Sequence, residues 1–158
     1  MPDLLRHIPA LEGITSGRHG TRDGAPGVTL RALPEGALLL VLGRIGLKEL
    51  AGATAHAGFD DVVVSEAGFE QWLIVGDVAA TPAHVAALGA ALSALAHVSD
   101  QSQGRIRMAL SGPRSLAVLA KGCGIDFAVF PPGAGAMTLY GHIGCHLHRV
   151  DGETFNLT

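Results

Sequence analysis

Aromatic residues are scarce in this chain: one Trp, one Tyr and five Phe among 158 residues, 4% of the whole. A pocket for a pterin or a flavin closes around stacking rings, so a free-standing cofactor-binding protein finds little material here. Cysteine is rarer still. Cys123 and Cys145 stand far apart and match no Cys-x-x-Cys spacing, which excludes a zinc knuckle or a disulfide framework and leaves two buried free thiols as the expectation. Charged residues are only 16% of the chain, and its 11 Lys and Arg are spread along it under a net charge of −3. Nucleic acid binding rests on clustered cations, so no nucleic acid partner is expected.

Long uncharged runs are missing too. A bilayer span needs about 18 to 20 apolar residues. The longest candidate, Ala79 to Ala96, reads as a packed helix with a Pro near its start, so no membrane association is expected. The opening MPDLLRHIPALEG shows neither a long apolar stretch nor a cleavage site of small residues, which predicts no signal peptide and a cytoplasmic location. A nicotinamide or flavin site would show Gly-x-Gly-x-x-Gly between a strand and a helix. Gly43-x-x-Gly46 and Gly133-x-Gly135 each supply only part of that pattern and read as turns.

What the chain does have is small and aliphatic. Hydrophobic residues make up 48% of it and the mean hydropathy is +0.37, contributed by Ala, Leu, Val and Gly. Such a surface calls for a partner. Residues 1–26, rich in Gly, Arg, His and Pro, are expected to form a flexible N-terminal arm, either mobile or laid across another subunit. Residues 27–158 are expected to form one domain.

Within that domain, Val28 to Leu33 reads as a strand and Ala37 to Leu42 as a strand buried on both faces. Leu47 to Ala57 carries helical spacing and ends at Gly58. Strands follow at Asp61 to Ser65 and Glu70 to Gly76, the latter with Trp72 and Ile74 on one face. Thr81-Pro82 is a strong helix start, and Ala-rich sequence carries that helix to about Ala96. Arg105 to Leu110 then reads as a strand with Ile106, Met108 and Leu110 facing inward and Arg105, Arg107 and Ala109 outward. Residues 37–110 thus spell a βαββαβ order, a ferredoxin-like split βαβ unit in an α/β (α+β) chain. Residues 111–158 begin a second half: a helix from Ser111-Gly112-Pro113 to Ala120, a rigid Phe130-Pro131-Pro132-Gly133 loop, and strands at Met137–Tyr140, Ile143–Val150 and Thr154–Leu157. This half is an incomplete βα unit with antiparallel strands. The helix expected after its last strand is missing, which predicts an apolar sheet face left open, the expectation being either a chain truncated relative to a longer relative or another subunit that supplies the cover.

Few residues carry chemistry. His142, Cys145, His146 and His148 place four potential ligands within seven positions. Strand alternation puts His146 and His148 on one face and Cys145 on the other, so solvent-facing strand histidines are the expectation, with a metal held by His142, His146 and His148 as the alternative. Ser111 lacks the Gly-x-Ser-x-Gly context of a nucleophile elbow and reads as turn geometry. Asp100 reads as a turn former, with a general base or a pterin-binding carboxylate as the functional alternative. Arg105 and Arg107 share a strand face and Arg114 opens the next helix, forming a candidate cationic subunit interface for an acidic partner, or else a solvated strand face. On the interface reading, Glu at positions 105 and 107 would weaken assembly and leave the chain folded.

The order of several short motifs is more specific than any one of them: Asp100-Gln101, Leu110-Ser111-Gly112-Pro113-Arg114, Leu119-Ala120-Lys121-Gly122-Cys123, Asp126 and Phe130-Pro131-Pro132-Gly133. In this order they resemble the gamma subunits of heterotetrameric sarcosine oxidases, and Glu70-Gln71-Trp72-Leu73 resembles the first half of that family, with Ala67-Gly68-Phe69 departing from it. The resemblance covers residues 68–157 well, 28–67 weakly and the arm not at all, and the aromatic C-terminal helix usual in the family does not follow Phe155. It implies a fold related to the folate-binding modules of glycine-cleavage T-proteins and membership of a four-subunit complex that demethylates sarcosine oxidatively to glycine. FAD, FMN, NAD and tetrahydrofolate are then expected on the partner alpha, beta and delta subunits, and no catalytic, cofactor-binding or metal residue on this chain. Zinc is implied for a different small subunit. A subunit of a related N-methyl amino acid dehydrogenase, or a free-standing folate-binding one-carbon transfer protein, are the alternatives.

Overall fold

Leu38, Leu39 and Val41 are all buried, so the strand that holds them must have cover on both faces, and this requirement organises the chain around it. The computed structural model describes residues 7–20 and 23–158. Its elements, in chain order, are β1 (Thr29–Ala32), β2 (Leu38–Gly43), α1 (Leu47–His56), β3 (Val62–Gly68), β4 (Gln71–Gly76), α2 (Pro82–Leu92), β5 (Ala96–Asp100), β6 (Met108–Ser111), α3 (Ser115–Leu119), β7 (Gly135–Tyr140), β8 (Ile143–Arg149) and β9 (Thr154–Leu157). They form two antiparallel sheets, one ordered β3-β4-β2-β5 and one ordered β1-β6-β9-β8-β7.

The first sheet is the ferredoxin-like unit. Leu39, Val41 and Ile74 point from it into a core closed by Leu50 of α1, Phe59, and Leu88 and Leu92 of α2. Leu38, Leu73 and Ala67 form a second cluster on the helix-free face. Thr81 caps α2 as its sequence predicts, its hydroxyl accepting from the His84 N–H at 3.2 Å, with Pro82 following.

The strand that completes this unit is not the predicted one. Helix α2 stops at Leu92, and Ala96–Asp100 pairs with β2 from Leu39↔Asp100 to Gly43↔Ala96. Backbones approach so closely there that a Cβ on Gly43 would stand 2.3 Å from the Leu95 carbonyl oxygen. The unit therefore spans residues 37–100. Residues 105–107 lie in the linker, and β6 starts at Met108 inside the second sheet, paired with β1 and β9.

The turn out of β6 does need its glycine. Gly112 has φ +118°, and a Cβ there would meet the Gly27 carbonyl oxygen at 2.8 Å. Helix α3 then lays Leu119 and Leu116 over Leu110, Leu147 and Phe155. The cover expected from a missing helix comes instead from the segment after α3. Cys123, Ile125, Phe127 and Phe130 pack on this core, with the Phe127 ring edge-on to Phe155 at 5.6 Å. Arg149 holds the segment in place by donating to the Phe127 and Phe130 carbonyls while its guanidinium lies 5.6 Å from the Phe155 ring centroid.

Of the predicted arm, residues 1–6 and 21–22 lie outside the described residues. Residues 7–20 and 23–27 form no helix or strand, and nearly all are exposed. No helix among the described residues is long and apolar enough to cross a membrane.

Candidate functional surface and the seam between the sheets

The three arginines singled out from the sequence do not share a surface. Arg107 is 8% exposed and reaches from the β5–β6 linker into the first sheet, where Nη1 donates to the Gly76 and Pro34 carbonyls at 2.8 and 3.1 Å and Nη2 pairs with Asp77 at 2.9 Å. Arg105, half-buried, donates to Gln101 Oε1 at 3.0 Å. Arg114 is exposed, its stem lying along Gly27. The alternation read from the sequence holds for Leu110, which is buried, but the other face is inside as well: Arg107 and Ala109 are buried, and Ile106 is 37% exposed. The Gly76 and Pro34 carbonyls, which no inspection of this segment reveals, draw Arg107 inside.

The histidines also part company. His142 sits exposed at the β7–β8 turn, whereas His146 and His148 share a face of β8 as alternation predicts. That face turns inward, so the expectation of solvent-facing histidines is corrected: His146 is 1% exposed, with Nε2 2.9 Å from the Glu66 carbonyl oxygen and 3.4 Å from Ser65 Oγ. Burial pushes its pKa down, the Glu66 hydrogen bond opposes this, and His148 and Arg105 add to the lowering. Burial alone lowers His148. Among the described residues no group of three or more His, Cys, Asp or Glu could hold a metal ion. Ser65, Glu66 and Gly135 around this ring were not legible as a site, because they become neighbours only when the two sheets meet.

Asp100 makes a turn. Its Oδ1 accepts from the Ser102 N–H at 2.9 Å and from the Ser102 hydroxyl at 2.6 Å, and Ser102 Oγ accepts the Leu38 N–H at 3.0 Å. Ser111 pairs with Thr29 and Thr154 in the sheet just before Gly112. Cys145 is buried, and this burial, with Cys123 nearby, pushes its thiol up against a smaller opposing hydrogen bond from the Tyr140 backbone. Two shallow clefts indent the described surface, one of about 420 Å³ beside Asp100, Gln101 and Arg105 and one of about 320 Å³ beside Leu11, Pro34 and Ile106. Neither is lined by an aromatic ring, so neither offers a flavin or a pterin a stacking surface.

The feature that stands out is the outside of the helix layer. Helix α2 contains no Asp, Glu, Lys or Arg, and Ala83, Ala87, Ala90 and Ala91 stand exposed at helical spacing along it, with Ala94 exposed in the turn that follows. Ala51, Gly52 and Ala55 of α1 are exposed as well, and Leu47 and Leu95 are 50% and 45% exposed. A solvated helix ordinarily carries charged residues on its outer side; this one presents methyl groups.

No protein-family model matches this chain, and no curated protein does. Among solved structures it is similar to a chain of the heterotetrameric sarcosine oxidase from Corynebacterium sp. U-96, determined in complex with pyrrole 2-carboxylate, with a TM-score of 0.68 and 24% identity over 84% of this chain and 76% of that one. At that identity the likeness is one of fold.

Proposed function

We propose that this chain is the noncatalytic gamma-type subunit of a heterotetrameric sarcosine oxidase-type complex, and that its helix layer docks on a larger subunit. The fold likeness over most of the chain, together with the order of motifs between Asp100 and Gly133, carries the reading. The uncharged outer side of α2 supports a subunit role, because an apolar helix face exposed in isolation is stabilised by a partner that covers it. The accessible surface points the same way: 10045 Å² for 16.2 kDa, against about 7,500 Å² for a compact monomer of this mass, an excess to which the exposed arm contributes. In this reading the alpha, beta and delta subunits hold FAD, FMN, NAD and tetrahydrofolate and perform the oxidative demethylation, and this chain shapes the assembly.

Two exposed alanines on one face test the proposal. Ala87→Glu with Ala91→Glu keeps good helix formers at solvent positions, so the melting temperature is expected to stay within a few degrees of wild type. On co-expression with the alpha, beta and delta subunits of a sarcosine oxidase-type complex, the wild type is expected to co-elute with them in size-exclusion chromatography and the double variant to elute alone. A double variant that still co-elutes in full refutes docking through this layer. A wild-type chain that remains a soluble monomer and binds tetrahydrofolate by itself refutes the subunit reading.

A further inference from the structure

The helix-free faces of the two sheets meet along a seam, where edge strand β3 lies against β7 and β8. His146 fills it. Its Nε2 contacts the Glu66 carbonyl oxygen, an obligate acceptor, which fixes a proton on Nε2 and makes Nδ1 the place for a second one. Ser65, 4% exposed, borders the same nitrogen. Gly135 of β7 closes the third side so tightly that a Cβ there would come within 2.8 Å of Nε2, 2.9 Å of Ser65 Cβ and 3.0 Å of the Glu66 carbonyl oxygen.

The titratable and charged groups acting on the ring both oppose a positive charge there: His148, two positions along β8, and Arg105, from the β5–β6 linker. From β3 come the Ser65 hydroxyl and the Glu66 carbonyl, the Glu66 residue itself being exposed. From β7 come Gly135 and Met137, the latter directly across from His146, and just after β9 comes the Thr158 backbone, whose oxygen accepts the His146 main-chain N–H at 2.8 Å. A second ring proton would create a buried imidazolium with no carboxylate acting on it and Arg105 opposing it, and the simplest relief is to let water in. Each sheet keeps a core of its own, around Leu39 and Leu88 in one and around Phe155 in the other. Arg107 ties the sheets together at a separate place, beside Gly76.

We propose that this seam is an acid-opened joint: proton uptake by His146 releases β7 and β8 from β3 locally while both sheets stay folded, which changes the surface the chain presents. The sign follows from the lowered folded-state value. The closed joint is fully stable above the ordinary histidine range near 6.5 and weakens as pH falls below it, by up to about tenfold per unit until the closed-state value is passed.

Ala67→Cys places a reporter thiol at a residue 5% exposed beside Glu66. Its rate of maleimide labelling in the full chain, divided by the rate for the same chain in urea at each pH, is read by peptide mass spectrometry, with Cys145 as the internal control on the far side of the second sheet. The introduced thiol is expected to gain up to about fivefold in relative labelling between pH 6.5 and 5.5 while Cys145 stays protected, and His146→Gln, which still donates to Glu66 but cannot titrate, is expected to flatten the response. His148→Gln is expected to retain it. No gain, an equal gain at Cys145, or an unchanged gain in His146→Gln each overturns the proposal. If either variant fails to fold, nuclear magnetic resonance of the wild type decides: the His146 ring must titrate together with the chemical shifts of the Ser65, Glu66 and Gly135 amides, and separate midpoints overturn the joint.

Discussion

Arg107→Glu is expected to unfold the chain, whereas Arg114→Glu is expected to leave its melting temperature nearly unchanged. The guanidinium of Arg107 is inside the protein, donating to the Pro34 and Gly76 carbonyls and pairing with Asp77. A glutamate there would turn a carboxylate toward two carbonyl oxygens and a second carboxylate in a site 8% exposed, with no donor gained in exchange. Burying a carboxylate in that place without a donor costs several kcal/mol, beyond what is lost with the guanidinium's own hydrogen bonds. That is a large share of the roughly 5 to 15 kcal/mol that holds a domain together.

A milder variant separates charge from volume. Arg107→Met fills much of the same space and leaves the two carbonyls short of a donor, while Asp77, 64% exposed, returns to water at little cost. A loss of about 1 to 3 kcal/mol is expected from the unpaired carbonyls. Urea denaturation followed by circular dichroism checks the series, and equal midpoints for Arg107→Glu and Arg114→Glu would contradict this account. The same burial revises the assembly test that the sequence suggests. A reversal at Arg107 would abolish complex formation through unfolding, so loss of co-purification there carries no information about the interface, and a surface test belongs on Arg114 or on the α2 alanines.

The order of elements was legible because local chemistry marks its boundaries. Thr81 and Pro82 start α2, Gly58 follows α1, and the unbroken apolar run of β2 requires cover on both faces. The strand β5 was hidden because Ala94, Leu95 and Ala96 favour helix by propensity, and Ala-His-Val-Ser-Asp has little strand character of its own. Pairing with β2, a tertiary effect, decides it. Alternation correctly placed Arg107 with Ala109 and His146 with His148, yet period-2 reasoning says which residues share a face and never which face is inside. Both polar faces turned inward because the other sheet supplies carbonyl groups to them. The alanine surface was visible only as composition until α2 had an outer side. The open sheet face expected from a missing helix depended on counting helices, and the segment from Cys123 to Phe130, with no regular structure, does that work with two phenylalanines and an arginine clamp.

Phe155→Ala is expected to cost the second sheet its core. Phe155 is fully buried, and on β9 it lies between Leu110 of β6 and Arg149 of β8 across the ladder. Truncating a buried Phe costs about 3 to 5 kcal/mol through lost transfer energy and an unfilled cavity. The edge-on contact with Phe127 also disappears, and with it the platform on which the covering segment rests. The loss should therefore be uneven. Amide exchange in residues 123–130 is expected to accelerate at denaturant concentrations where α1, α2 and β2 remain protected, because the first sheet draws on a separate cluster around Leu39, Leu50 and Leu88. Phe127→Leu, which keeps most of the volume and removes only the ring contact, should cost about 1.5 kcal/mol or less and speed exchange in the same segment. Exchange that instead rises together in both sheets would mean that the two cores fold as one cooperative unit, and an acid-opened seam would then have no independent halves to separate.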